Sequence, residues 1–520
     1  MKKRDTLTIE KHNSSRQIKI GAIASYITIA FNILSGLLYT PWMVRQIGQA
    51  NYGLYTLAIS IIAFFAMDFG LGSAVSRFLS KYKAQNDFEG EKKFLGITFK
   101  LFVYITVVLF IVLLVVYFFI ESIYLELSVT EIAKLKALFV IAGLFTIVSF
   151  PFKPFDGILI ANERFAFIKL LDLLHKVFTV ALLVVALSLG YGLLAMVLVN
   201  AAIGLIKVIL KYIYIKNKTY TSIEFHHKDK KIYYEIFKFS SWTTIILVAQ
   251  RFILNITPTI LGAFSGSNEI AVFSVGMTIE GYTWTIALGL GGLFLPKVTK
   301  LLHDNKDDMK EIEDVFIKVG RIQFLTVSLI IAGFVTMGYE FMNLWMGPSF
   351  QNSYYVAVLL VIPGIITLTQ EIANTVLIAK NEIKYRAISS IGVAVLSVIF
   401  SMILAPKYGA IGAGVAIFIG NILGTIIFMN YVYYKVLRIN IFRFFKNVHL
   451  KLFVPFVLTL ISGFFIQKYL PVNNLYLFTL KAAVIAMIYI VLMWLTSMNK
   501  FEKGLIIGII KNLVRGRKNV

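Results

Sequence analysis

Apolar residues fill this chain in blocks of roughly 20 or more, the length needed to cross a hydrocarbon core of about 30 Å, and short polar or basic interruptions separate the blocks. The pattern predicts helical spans near residues 18–43, 53–76, 95–120, 133–161, 166–189, 192–214, 239–262, 270–295, 318–338, 354–379, 385–405, 409–434, 452–467 and 475–498, about fourteen in all. The first, from Gly21 to Met43, is longer than a signal-peptide apolar region and has no small-residue cleavage motif after it, so it is expected to remain as a helix. After the last span, 501–515 mixes Leu, Ile and Val with Lys503, Lys511 and Arg515, the pattern of an interfacial amphipathic helix held by anionic lipid.

Composition agrees with lipid as the main solvent. Of 520 residues, 58% are hydrophobic and 15% charged, against about 25% charged in soluble domains. Mean hydropathy is +0.80. There is no cysteine, which excludes disulfides and thiolate metal sites, and the only close histidine pair, His226 and His227, is adjacent within a lysine-rich loop. No metal site and no cofactor are expected. The net charge of +24 does not point to nucleic acid, because its placement is one-sided. With the N-terminus inside, Arg77 to Lys93, Lys211 to Lys238, Lys297 to Lys318, Lys435 to Lys451 and the tail fall on one face, and only Arg45, Lys134, Lys136, Lys407, Lys468 and Lys481 on the other. That asymmetry follows the positive-inside rule and predicts both termini in the cytoplasm.

Three internal matches recur at nearly one offset. Gly70 through Lys81 matches Gly289 through Lys300 (offset 219), Leu159-Ile-Ala-Asn-Glu matches Leu377-Ile-Ala-Lys-Asn-Glu (218), and Tyr191-Gly192 matches Tyr408-Gly409 (217). The expected organisation is an all-α membrane protein with two parallel six-helix lobes, 18–215 and 237–434, around a central cavity. A cytoplasmic linker (216–236) joins the lobes, a helix pair (435–498) follows them, and a basic amphipathic tail (499–520) ends the chain. Gly412, Ala416, Gly420 and Gly424 form a small-residue stripe suited to close helix approach.

An ionisable residue deep in a span costs about 2.5 to 3.5 kcal/mol on insertion scales and is a functional candidate by default. Arg251, mid-span beside Gln250, is the leading group for contacting a substrate anion, since its planar fork matches phosphate oxygens; the competing reading is an ion pair with Glu280. Pro151 and Pro154 break the fourth span, where Lys153 and Asp156 share a face, and the 218 offset maps them onto Glu371 and Asn374. Those groups either line a lumen or form a salt-bridged helix end. Asp172 and Lys176 are spaced to pair on one helix, His175 reads as an interior histidine, and Lys207 is placed to snorkel. Asp68, Glu280 and Glu371 are candidates for binding a coupling cation, with Arg77 the alternative partner of Asp68. No nucleotide-binding loop, nucleophile elbow or zinc-protease motif is present, so no catalytic residue is assigned and the chain is not read as an enzyme.

The stretch from Pro41 to Tyr55, with Trp42, Arg45, Gly48, Tyr52 and Gly53, followed by Asp68-Phe-Gly-Leu-Gly72 and Arg77, resembles the start of the polysaccharide or O-antigen flippases of the multidrug/oligosaccharidyl-lipid/polysaccharide exporter superfamily. Leu344-Trp345-Met-Gly347, Leu377 to Glu382 and Tyr408 to Ala413 resemble its second-lobe landmarks. The resemblance implies an undecaprenyl-diphosphate-linked oligosaccharide repeat unit as substrate, alternating access between lobes and H+ or Na+ antiport. It also implies a bacterial cytoplasmic membrane location, contact with membrane lipids, and polysaccharide polymerase machinery as partner. On that reading Arg251, Gln250, Lys153 and Lys176 are substrate-binding candidates.

Two readings within the superfamily compete. A lipid II flippase would carry arginines deep in the first helix, where this chain has Asn32; a drug or cation antiporter would have twelve helices. A membrane-embedded glycosyltransferase or polymerase would need long outer loops with clustered acidic or arginine residues, and the loops here are short.

Overall fold

The computed structural model describes residues 2–67, 70–219, 224, 230–291, 309–472 and 474–516, and every regular element among them is helical. The first half comprises α1 (Lys2–Ile47), α2 (Gln49–Phe65), α3 (Leu71–Ala84), α4 (Phe88–Ile123), α5 (Val129–Ser149), α6 (Pro154–Ala161), α7 (Phe165–Ser188), α8 (Gly192–Lys218) and α9 (Lys230–Phe264). The rest comprises α10 (Ser267–Gly291), α11 (Met309–Trp345), α12 (Asn352–Val361), α13 (Gly364–Thr367), α14 (Glu371–Ala379), α15 (Lys384–Gly420), α16 (Met429–Lys435), α17 (Ile441–Phe445), α18 (Lys451–Tyr469), α19 (Leu475–Thr496) and α20 (Lys500–Gly516).

Eleven helical stretches among the described residues are long and apolar enough to cross a membrane, which makes this a multi-pass membrane protein. That count differs from the sequence expectation for identifiable reasons. The stretch Lys384–Lys435 holds 52 residues, about 78 Å at 1.5 Å per residue, enough for two crossings, and Gly409 (φ 53°) kinks it after Pro406. Gln49–Phe65 is apolar but short, and the span expected at 270–295 runs beyond the described residues. The total of fourteen is therefore not established, whereas the all-helical membrane architecture is.

Chain contacts divide the molecule into two compact units. The first holds Met1–Ser274 and Val398–Ala413; α1 packs on α7, α2 on α5 and α9, α3 on α6, and α7 on α8. Phe94, Phe102, Phe150 and Leu57 fill its interior. The second holds Val275–Ser397 and Gly414–Val520, with α11 packed along α18 and α19 around Phe316, Phe324 and Phe444.

Local backbone structure repeats at the sequence offset. In the first unit α5 gives way to a 3-10 turn, Phe150–Phe152, and then α6; in the second a 3-10 turn, Leu368–Gln370, precedes α14, each residue 218 further on. Pro151 and Pro154 account for the first break, since proline lacks the N–H that would continue the ladder. Gly48 and Gly266, also 218 apart, take φ of 87° and 84° just before α2 and α10, a left-handed turn that glycine adopts at little cost. In the small-residue stripe, a Cβ at Gly420 would lie 3.1 Å from the Val393 carbonyl oxygen and one at Gly424 would lie 3.3 Å from that of Ser389, so these two glycines allow the close packing expected of them.

Candidate functional site: a lysine-rich cluster and its polar counterpart

In the first unit, α6, α7 and α8 converge on a group of charges. Lys211 is buried, 8% exposed, and donates to Asp156 Oδ1 at 2.5 Å. Lys207, one turn earlier on α8, reaches Asp172 Oδ1 at 2.7 Å, and Lys169 stands 3.9 Å from the other oxygen of the same carboxylate. The His175 ring lies in the electrostatic field of Lys207, Asp172, Lys176 and Lys211. Lys153 donates to the Ala66 carbonyl at the end of α2, 2.6 Å away, and its ammonium sits 4.3 Å from the centre of the Phe150 ring. Lys169, Lys207 and Lys211 stand around Asp156 and Asp172, and Lys176 acts on the same His175 ring, so four lysines meet two carboxylates among the described residues.

This arrangement corrects two expectations. Asp172 does not pair with Lys176 along α7; it pairs with Lys207 of α8 and Lys169 of its own helix. Lys207 correspondingly turns to a carboxylate instead of snorkelling. A pair across two helices satisfies more of the carboxylate than one exposed i,i+4 contact, which adds only about 0.3–0.5 kcal/mol. Lys176 is half-buried and has no ion pair among the described residues. Lys153 and Asp156 do share a region, but each bonds elsewhere, to Ala66 and Lys211. Sequence spacing offers Asp172 partners on its own helix, Lys176 at i+4 and Lys169 at i−3; Lys207 and Lys211, the residues that complete the cluster, come from a helix more than thirty residues downstream of Asp172.

At equivalent repeat positions the second unit builds a cluster of different character. Gln370 and Asn430 exchange amide hydrogen bonds at 2.7 and 3.3 Å. Asn374 donates to Glu371 Oε2 at 3.0 Å, the Tyr433 hydroxyl lies 3.5 Å from Asn374 Oδ1, and the charge of Arg386 acts on Glu371. Where the first unit has Lys153 and Asp156, the second has an acid and an amide.

Of the other candidates, Gln250 and Arg251 are both exposed on α9. Glu280, half-buried on α10, has the Trp284 side chain as a hydrogen-bond partner. Arg251 belongs to the first unit and Glu280 to the second. Asp68 lies outside the described residues.

Two buried ion pairs in the second unit had no sequence signal. Arg321 (5% exposed) gives Nη2 to Glu502 Oε2 at 3.0 Å, Nη1 to the Asn447 carbonyl at 2.7 Å and Nη2 to the Ser497 carbonyl at 2.7 Å. Lys481 holds both oxygens of Glu340, at 3.0 and 2.7 Å, and the Leu470 carbonyl at 3.1 Å. With the Tyr489–Ser328 hydroxyl contact (2.7 Å) they bind α19 and α20 to α11 at three levels.

The fold and the clusters define an all-α multi-pass membrane protein with charged and amide groups held inside its helical units. The chain belongs to the polysaccharide biosynthesis protein family, which it matches over residues 21–289, just over half its length. It is 21% identical over 196 residues to a protein of Haloferax volcanii described as a probable low-salt glycan biosynthesis flippase, a match covering 38% of this chain and 41% of that relative. Among solved structures it is similar to a lipid II flippase MurJ in an inward closed conformation (TM-score 0.68, 16% identity, 94% of this chain and 99% of that one). It is also similar to an inward-facing multidrug resistance MATE family transporter of the MOP superfamily (TM-score 0.63, 15% identity, 76% and 96%). These likenesses establish the fold.

Proposed function

We propose that this protein moves undecaprenyl-diphosphate-linked oligosaccharide repeat units from the cytoplasmic to the outer leaflet of a bacterial cytoplasmic membrane, by alternating access, for surface polysaccharide biosynthesis. The observation that carries the reading is the lysine surplus around Asp156 and Asp172. A diphosphate cannot enter hydrocarbon without compensating cations, and lysines held by only two carboxylates have charge to offer. Lysine suits a phosphate as a compact point charge. In the proposed orientation, with both termini cytoplasmic, the cluster lies toward the ends of α7 and α8 nearer the leaflet where the substrate is loaded. Family membership supports a glycan cargo, and Arg251 with Gln250 supplies a second group for the diphosphate.

The half-buried amides of Asn374 and Asn430 suit sugar hydroxyls, which both donate and accept hydrogen bonds as amides do, while the fully buried Gln370 holds Asn430 in place. Glu371, Glu280 and Asp68 are the proposed groups for a coupling H+ or Na+. Deleting the gene tests the function in cells: lipid-linked glycan should accumulate on the cytoplasmic leaflet while surface polymer falls. Normal surface polymer with no accumulated precursor would refute it.

A further inference from the structure

We propose that the second unit carries a carbohydrate-stacking platform at the end of α11 remote from Arg321, made by the rings of Tyr339 and Tyr355 with the side-chain amide of Gln351. The platform rests on the flippase reading only for the kind of glycan it meets. Tyr339 and Tyr355 are 37% and 47% exposed, with ring centres 6.4 Å apart and planes at 62°, an edge-to-face pair that leaves part of both rings open. Between them, Tyr354 is the support. Its ring lies 6.0 Å from Tyr339 and 5.1 Å from Tyr355, and its hydroxyl donates to the Val335 carbonyl at 2.7 Å.

That support needs a glycine. A Cβ at Gly338 would come within 2.8 Å of the Tyr354 ring, so any larger residue there would push the ring off α11. The polar component is placed as deliberately. The Tyr339 hydroxyl donates to Gln351 Oε1 at 2.8 Å, which orients the amide and leaves its N–H groups without a partner among the described residues.

The chemistry of this corner matches a pyranose. A sugar ring presents a patch of C–H bonds on one face, which packs on the negative face of an aromatic ring, and hydroxyls around its edge, which take up amide donors. Tyrosines at a membrane interface also anchor helices through an apolar ring and a wet hydroxyl. An interfacial anchor does not require a glycine recess under a third ring, nor a hydroxyl spent on orienting a neighbouring amide. In the proposed orientation the corner faces outside, where it would receive the glycan as it emerges from the membrane.

The test is saturation-transfer-difference NMR on the full chain in nanodiscs. The probe is the oligosaccharide released by mild acid from the polyprenyl-linked pool of cells that make the protein. Saturation should pass from aromatic protons to pyranose C–H protons, survive Tyr355→Phe, weaken in Tyr339→Phe as the Gln351 amide loses the hydroxyl that orients it, and vanish in Tyr339→Ala with Tyr355→Ala. At Tyr355 phenylalanine keeps the stacking face and loses the interfacial hydroxyl, so that variant separates stacking from anchoring. If the double alanine variant does not fold, Tyr355→Ala alone, at the more exposed ring, should still reduce the signal. No transfer in the wild type, or transfer undiminished by the alanine substitutions, would overturn the platform. Flipping of the intact lipid-linked substrate is measured in parallel: wild-type flipping without sugar contact rejects the platform alone, and sugar contact without flipping rejects the transport reading alone.

Discussion

Glu163 and Asn381 stand 218 residues apart and share one backbone conformation, with φ of 56° and 57°. The hydrogen bonds around them also correspond. Arg164 N–H donates to the Leu159 carbonyl at 2.9 Å and Glu382 N–H to that of Leu377 at 2.8 Å, while Glu163 and Asn381 donate to Ile160 and Ile378. The broken helix in each unit is thus closed by the same left-handed cap. The two residues bear that conformation unequally, because asparagine tolerates the left-handed region and glutamate pays about 1–2 kcal/mol there. Glu163 is also exposed. Glu163→Gly should therefore raise the thermal unfolding temperature in detergent, and Asn381→Gly should change it less. Equal shifts for the two, or a loss of stability on Glu163→Gly, would contradict this account of the cap.

The lysine cluster separates substrate contact from scaffold. Lys207→Gln with Lys211→Gln removes two cations and should lower flipping about 10- to 100-fold, taking about 1.5–3 kcal/mol for a charge-assisted contact, with protein level retained. Asp156→Asn leaves the cations in place and should retain most of the flipping, at some cost to stability because buried Lys211 loses its partner. Flipping rates measured in proteoliposomes decide between them. If Asp156→Asn abolishes transport as fully as the lysine pair does, the cluster is scaffold.

Arg251 is tested against Glu280. If Arg251 meets the diphosphate, Arg251→Lys should keep part of the flipping, since charge survives although bidentate geometry is lost, and Arg251→Ala should abolish it. If it only neutralises Glu280, the double variant Arg251→Gln, Glu280→Gln should restore what each single change loses. Near wild-type flipping in the double variant would remove Arg251 from the substrate path.

Neutralising the coupling acid, by Asp68→Asn, Glu280→Gln or Glu371→Gln, should abolish the dependence of flipping on an imposed H+ or Na+ gradient while the protein still inserts. Unchanged gradient dependence in all three would reduce them to structural partners.

Arg321 and Glu502 carry a prediction about the tail. Arg321→Met leaves a buried carboxylate uncompensated and should destabilise the protein by about 3–5 kcal/mol, with α20 becoming open to protease. Arg321→Met combined with Glu502→Leu should recover most of that loss, because an absent pair costs less than a broken one. Thermal melting and limited proteolysis read both.

How far the sequence could be read depended on distance along the chain. Spans, breaks at Pro151 and Pro154, and the 218-residue repeat are local patterns, and the structure shows helices and 3-10 turns at those places. Lys153, Asp156 and Asp172 were visible as charges within the spans, but the partners Ala66, Lys211 and Lys207 were not, because helix packing chooses them and no short-range spacing encodes it. Arg321 and Glu502 lie 181 residues apart, beyond the reach of any spacing pattern. Their pairing follows from α20 folding back onto α11, and the amphipathic pattern of the tail alone suggested a lipid contact in its place.

The most direct test of the account is transbilayer movement of a defined substrate. Purified protein is reconstituted into proteoliposomes loaded with a fluorescent undecaprenyl-diphosphate-linked oligosaccharide, and a membrane-impermeant reagent reads the leaflet in which the sugar lies. Protein-dependent redistribution between leaflets is expected, abolished by Lys207→Gln with Lys211→Gln. Redistribution no faster than in protein-free vesicles, from protein shown to be folded and inserted and with an ion gradient imposed, would contradict it.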